Sequence, residues 1–163
     1  MRLAAVALVA LVSAALVVAL TRSAPAVRAA PALPGRVLVG TPETLVSLRG
    51  RPALVDFFAS WCGPCVAEAP ALERAARALG GRATVVGVDW SDNRSYARRF
   101  VGRYGWSFPV LEDPDGKAGY AYGIQGLPSA FVLDARGAIV RRLFGPQTVA
   151  SLVAAVDAAG RRS

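Results

Sequence analysis

The sequence predicts an α/β domain: a central mixed β-sheet flanked by helices on both faces. Three observations predict it. Short, almost wholly apolar runs at Ala53–Phe58 and Ala83–Val88 suit parallel strands buried on both faces. The stretches that follow them carry apolar residues at helical spacing. A second pair of apolar runs near the C-terminus is joined by a turn-like tetrapeptide, which reads as a hairpin. Strands alternating with helices in this way build layered α/β architecture. At 163 residues the chain has room for one such domain and a tail, and no segment repeats another.

Taken in order, residues 1–22 are a different material from the rest. Met1 and Arg2 precede an uncharged run from Leu3 to Leu20 made almost wholly of Ala, Leu and Val, which Thr21 and Arg22 end. It reads as an export signal or a membrane anchor. An uncleaved anchor with the rest of the chain outside the cytoplasm is the favoured expectation. Small residues around Ala24–Ala26 and Val27–Ala29 leave cleavage and secretion as the alternative. Residues 23–35, rich in Ala, Pro and Arg, read as a linker, and residues 36–163 as the domain. Within it, Ala53–Phe58 ends at the cysteine stretch. From Cys62 onward, Val66, Ala69, Leu72, Ala76 and Leu79 follow helical spacing until Gly80 and Gly81 stop it. Pro70 is expected to kink that helix. After the second strand, Asp92 is expected to cap a helix through Arg103, with Tyr96, Phe100 and Tyr104 on one line as core packing. Ala130–Leu133 and Ala138–Leu143 form the hairpin around Asp134–Gly137. The last helix, Thr148–Ala159, places Val149, Leu152, Val153 and Val156 on one face.

Composition removes several chemistries. The chain has no histidine, so imidazole metal ligands, Ser/His or Cys/His catalytic pairs and C-x-x-C-H haem attachment are excluded. The formal charge of +8 comes from scattered arginines, with Lys117 the sole lysine. It reads mainly as composition bias and only weakly as attraction to acidic partners or headgroups. No nucleic-acid motif accompanies it, so no nucleic-acid partner is expected.

The chemistry concentrates in Phe57–Pro70, FFASWCGPCVAEAP, which holds the only two cysteines. Cys62 opens a helix directly after a buried strand, where free N–H groups and the helix dipole stabilise a thiolate, so Cys62 is the expected nucleophile. Cys65, one turn on, is placed to resolve a mixed disulfide. Gly63 and Pro64 between them allow the tight turn and start the helix without needing a donor. A zinc site needs about four ligands, and neither histidine nor a second cysteine pair supplies them. A purely structural disulfide would close too small a loop to stabilise much. A redox-active Cys62/Cys65 pair is the preferred reading, with no further cofactor and no metal. Asp56 interrupts the apolar strand as a carboxylate whose burial raises its own pKa, or as a locally hydrogen-bonded Asp. Glu68, one turn beyond Cys65, either tunes the proton affinity of that cysteine or is a solvated helix glutamate. Trp61 shields the disulfide and forms docking surface, with core burial the competing view.

Val55–Cys65, VDFFASWCGPC, resembles the active-site strand and turn of the thioredoxin superfamily. Tyr122–Asp134, YGIQGLPSAFVLD, is similar to that superfamily's cis-proline segment. Cys65–Pro70, CVAEAP, resembles the C-x-x-E-x-P of its membrane-tethered TlpA/ResA/DsbE-like branch. The long gap from Cys65 to Pro128, with Phe108–Pro114 in it, fits that branch's central insertion. The resemblance covers about Arg36 to Ala159. It implies a thioredoxin-like fold, with Asp56 assisting Cys65, and with Trp61, Gly63, Pro64, Leu127 and cis-Pro128 contacting an extended substrate segment. Two departures stand out: Leu127 lies where relatives often carry Val or Thr, and Asp56 is typical of thioredoxin proper rather than of the ResA-like branch.

The resemblance further implies a thiol–disulfide oxidoreductase of the bacterial cell envelope, tethered to the cytoplasmic membrane. Its expected substrates are protein disulfides such as that of an apocytochrome c during cytochrome c biogenesis, and its expected reductant is a transmembrane thiol electron donor. The Gly-Pro dipeptide favours a reductase. An oxidase that introduces disulfides is the first alternative, and a partner- or copper-binding module using the dithiol as ligand is the second.

Overall fold

The computed structural model describes residues 28–161; the expected signal or anchor at residues 1–22 lies outside them. Seven strands form one mixed sheet: β1 (Arg28–Ala29), β2 (Arg36–Val39), β3 (Ala53–Phe58), β4 (Thr84–Trp90), β5 (Val110–Asp113), β6 (Ser129–Leu133) and β7 (Ala138–Phe144). Their order is β1-β7-β6-β3-β4-β5-β2. β3, β4 and β5 run parallel, whereas β6, β7, β1 and β2 each pair antiparallel with their neighbours. Four helices cover the sheet: α1 (Gly63–Leu79), α2 (Arg94–Tyr104), α3 (Lys117–Tyr122) and α4 (Val149–Gly160).

Two apolar layers follow from the alternation of side chains along β3. Leu54 and Phe58 face a core with residues of α1, α2 and α4, including Leu72, Phe100 and Leu152. Ala53, Val55 and Phe57 face a second core closed by Tyr122 of α3 and by Leu48. The expected helices on both faces are present, but unequally: three on one side, one short helix and a loop on the other.

The central strand, the cysteine helix, the C-terminal hairpin and the last helix lie within a residue or two of their expected bounds. α1 begins as its sequence dictates. Cys62 is its N-cap, with Sγ accepting from the Cys65 N–H at 3.1 Å, and Pro64 stands in the first turn. Gly80, at φ 53°, ends it.

Three expectations are corrected. The cap of α2 is Asn93, whose Oδ1 accepts from the Ser95 N–H at 2.9 Å. Asp92 is unavailable for that task because its carboxylate accepts from the Ser60 and Asn93 N–H groups, each at 2.6 Å. The Tyr96, Phe100, Tyr104 line is not uniformly core. Phe100 is buried, Tyr104 half-buried and Tyr96 exposed, because α2 buries only a narrow strip through Ala97, Phe100 and Val101. The linker ends before residue 35: β1 pairs with β7, and the buried Ala30 donates its N–H to Gly137 O at 3.1 Å. Their Ala- and Pro-rich composition carries no strand pattern, and an edge strand of two residues needs only backbone bonds.

Candidate functional site

Cys62 and Cys65 are joined in a disulfide with their Cα atoms 5.2 Å apart. Both sulfur-bearing residues are nearly covered, at 5 % and 2 % exposure. The rim around them is open, formed by exposed Trp61, Gly63 and Pro64. Trp61 is therefore surface rather than core, at 59 % exposure, and its Nε1 donates to Ser91 O at 3.2 Å.

An acid pair joins the cysteine helix to the central strand, with Glu68 on α1 one turn beyond Cys65 and Asp56 on β3. Asp56 shares the α1-facing side of β3 with Leu54 and Phe58, and it is almost wholly buried. Its Oδ1 has no hydrogen-bond partner among the described residues. Burial, and secondarily the charge of Glu68, holds its carboxyl well above the ordinary carboxylate range. Glu68 is also buried, not solvated, and its Oε1 accepts from the Gln147 N–H at 2.8 Å. Burial raises its pKa to about 7, against the lowering effect of that N–H. Two buried carboxyls that sense each other titrate as a pair, and near neutrality the pair both holds and releases a proton.

The peptide bond between Leu127 and Pro128 is cis. Pro128 is buried and its carbonyl accepts from the Gly145 N–H at 3.0 Å. β6 starts immediately after it with Ser129 opposite Phe57, so Pro128 stands at the end of β3 that leads to Cys62. Leu127 is half-buried and packs against both cores. No backbone hydrogen bond among the described residues engages it. The fold thus brings Asp56, Cys62, Cys65 and Glu68 to one face of the sheet and Leu127 and Pro128 to the same end.

A further carboxyl at this end escaped the sequence reading. Asp89 on β4 is 2 % exposed and its Oδ1 lacks a partner among the described residues. Burial first, then the charge of Asp92 and a hydrogen bond with it, then Glu112 and Asp113, push its pKa to about 8. Asp92 in turn holds the Ser60 N–H, two residues before Cys62. The signal was present, since an acid next to an apolar strand had already marked Asp56. The expected strand ended at Val88, one residue short.

The Redoxin family model matches residues 21–156. The thiol:disulfide interchange protein CycY of Rhizobium leguminosarum bv. viciae is 36 % identical over 110 residues, 67 % of this chain and 58 % of that protein. The thiol:disulfide interchange protein DsbE of Allochromatium vinosum is 43 % identical over 100 residues, 61 % of this chain and 54 % of that protein. The chain therefore spans between half and three fifths of the length of these two relatives. Among solved structures, a thioredoxin-family thiol:disulfide interchange protein from Chlorobium tepidum TLS superposes with a TM-score of 0.73 at 30 % identity. That match covers 84 % of this chain and 99 % of the other.

Proposed function

The chain belongs to the Redoxin family, and from that premise we propose that it is an extracytoplasmic thiol–disulfide oxidoreductase that reduces disulfides of exported proteins through Cys62 and Cys65. The observation that carries the reading is a disulfide at the first turn of α1, whose Cys62 Sγ accepts the Cys65 N–H, with a buried carboxyl pair that includes Glu68 one turn further along the same helix.

In the dithiol form, the Cys62 thiolate attacks one sulfur of the partner disulfide. A Cys62–partner bond forms, and the other partner sulfur leaves as a thiolate that takes a proton. Cys65 then loses its proton to the Asp56/Glu68 pair and attacks Cys62 Sγ. The mixed disulfide breaks, the second partner thiol departs, and the Cys62–Cys65 disulfide is left behind. The partner gains two electrons and two protons, the stoichiometry of disulfide reduction. Trp61, Gly63 and Pro64 form the rim against which an extended segment lies. Leu127, with its backbone unengaged beside cis-Pro128, offers that segment strand-like hydrogen bonds.

The Gly63-Pro64 dipeptide shared with reducing thioredoxins supports the reducing direction, and the resemblance to the TlpA/ResA/DsbE-like branch supports an apocytochrome c disulfide as substrate and a transmembrane thiol carrier as the donor that restores the dithiol. The uncharged run at Leu3–Leu20 supports attachment to the cytoplasmic membrane with the domain outside it. The test is the reduction potential of the Cys62/Cys65 couple in the full chain, equilibrated against dithiothreitol and glutathione buffers. A value near roughly −270 mV supports the reductase, and one near roughly −120 mV overturns it in favour of an oxidase.

A further inference from the structure

Helix α2 contains four arginines and no acidic residue. Two of the four are used by the fold. Arg94 pairs with Glu112 and donates to Val37 O at 3.3 Å, and Arg98 donates to Leu38 O at 3.1 Å. The other two, Arg99 and Arg103, are exposed and have no carboxylate partner among the described residues. Instead each guanidinium lies over a tyrosine of its own helix, Arg99 at 4.5 Å from the Tyr96 ring centre and Arg103 at 5.7 Å from that of Tyr104. Two like charges at i and i+4 weaken a helix, so local stability does not account for them.

These four side chains line a cavity of about 530 Å³ whose remaining wall includes Ser60 and Val66. Ser60 precedes Trp61 and Cys62 directly, and Val66, 40 % exposed, follows Cys65. The cavity is therefore continuous with the rim of the disulfide, on its α2 side rather than its cis-proline side. Its walls combine two unneutralised cations with three aromatic rings, those of Tyr96, Phe100 and Tyr104, and an exposed valine. The chain's own N-terminal stretch is a poor occupant, because residues 1–42 hold arginines but no acidic residue.

We propose that the Tyr96/Arg99/Arg103/Tyr104 cavity is a second docking surface, which receives an acidic segment of the disulfide-bearing partner protein beside the reacting cysteines. The proposal rests on the oxidoreductase reading for the identity of that partner. Carboxylates of the segment meet Arg99 and Arg103, while an apolar or aromatic residue between them lies against Tyr96, Tyr104 and Val66. Charge complementarity of this kind selects partners and speeds encounter, and it weakens with salt.

The test uses the full chain in neutral detergent, as the parent protein, as Arg99→Glu/Arg103→Glu and as Arg99→Gln/Arg103→Gln, with thermal unfolding compared to establish that all three fold. Binding of a cysteine-free peptide rich in glutamate to the oxidised protein is measured first, by calorimetric titration. This step needs no redox chemistry. The expected result is binding by the parent that weakens about fivefold to tenfold in the glutamine variant and further in the glutamate variant, and that declines with added salt. Exchange from the dithiol form is measured next, with two peptides sharing one disulfide loop but flanked by Glu or by Lys, and with the neutral bis(2-hydroxyethyl) disulfide. The parent is expected to favour the Glu-flanked peptide, and the glutamate variant to reverse that preference while its rate on the neutral disulfide is unchanged. Equal peptide binding by all three proteins overturns the proposal. So does binding of a short-chain phosphatidylglycerol that depends on both arginines without any peptide binding, which would assign the surface to a lipid headgroup. Failure to exchange with the neutral disulfide would instead strike the oxidoreductase reading, leaving the peptide titration to decide the docking surface.

Discussion

Glu68 lies one turn beyond Cys65 with a pKa of about 7, and burial also holds the carboxyl of its neighbour Asp56 well above the ordinary carboxylate range. As pH rises through 7, Glu68 passes to its basic form and becomes able to take the Cys65 proton. The rate of resolution of a Cys62 mixed disulfide should therefore rise through an inflection near pH 7. Glu68→Gln keeps an oxygen for the Gln147 N–H but cannot accept a proton, so it should abolish the inflection and slow resolution by about a hundredfold. Rapid-mixing measurements that follow Trp61 fluorescence across the pH range check this, and an unchanged profile would exclude Glu68 as the base. Asp92→Ala acts on the loop rather than on the proton. It strands the Ser60 N–H, now bonded to Asp92 Oδ2 at 2.6 Å, and should cost about 1 to 3 kcal/mol in urea unfolding. At this scale Asp56 was legible because a charge interrupts an apolar run. The burial of Glu68 was not, because the N–H that meets it comes from Gln147, 79 residues later.

At the level of elements, α3 shows how packing overrides propensity. Gly119 sits inside this helix, where Ala would ordinarily be favoured by about 1 kcal/mol. A Cβ there would stand 2.2 Å from Trp90 Nε1, and that indole is already fixed by donation to Gly116 O at 3.2 Å. Gly119→Ala should therefore destabilise the protein by about 1 to 3 kcal/mol, through displacement of Trp90. Thermal unfolding decides it, and a stabilised variant would show that Trp90 moves freely. The same tension explains which elements the sequence concealed. β5 ends in Glu112 and Asp113, both buried, inside the Phe108–Pro114 stretch that the sequence assigned only to an insertion. It is a strand because Arg94 and Arg36 pair with Glu112, while the N–H groups of Ala118 and Gly119 donate to Asp113.

For the molecule as a whole, three buried carboxyls titrate upward: Asp56, Glu68 and Asp89, the last two at about 7 and about 8. An acid whose pKa is higher in the folded state holds its proton there after the unfolded chain has lost it. Between the unfolded and folded values the native state binds more protons, and stability falls as pH rises. The oxidised protein should therefore lose roughly 2 to 6 kcal/mol of unfolding free energy between about pH 5 and pH 9. The loss should accumulate as the pH climbs from the ordinary carboxylate range and level off once Glu68 and Asp89 have ionised, at about 7 and about 8. Urea titrations at several pH values measure it, and Glu68→Gln should remove the part that ends near 7. A stability that rises over the same range would contradict the burial of these groups.

What the sequence determined by itself was local. Cys62 and Cys65 are three residues apart at a helix start, the cap and Pro64 lie within the same turn, and the apolar run before them forms a strand wherever it is buried. Short-range geometry is sufficient for each of these. Tertiary structure decided the edges and the protons. β1 finds β7 and β2 finds β5 across long stretches of the chain, α1 places Glu68 over β3 near Asp56, and α2 turns Arg99 and Arg103 toward the rim of the disulfide. These outcomes depend on which distant groups exclude water from one another, and a pKa or an unpaired charge acquires its meaning only once that exclusion is complete.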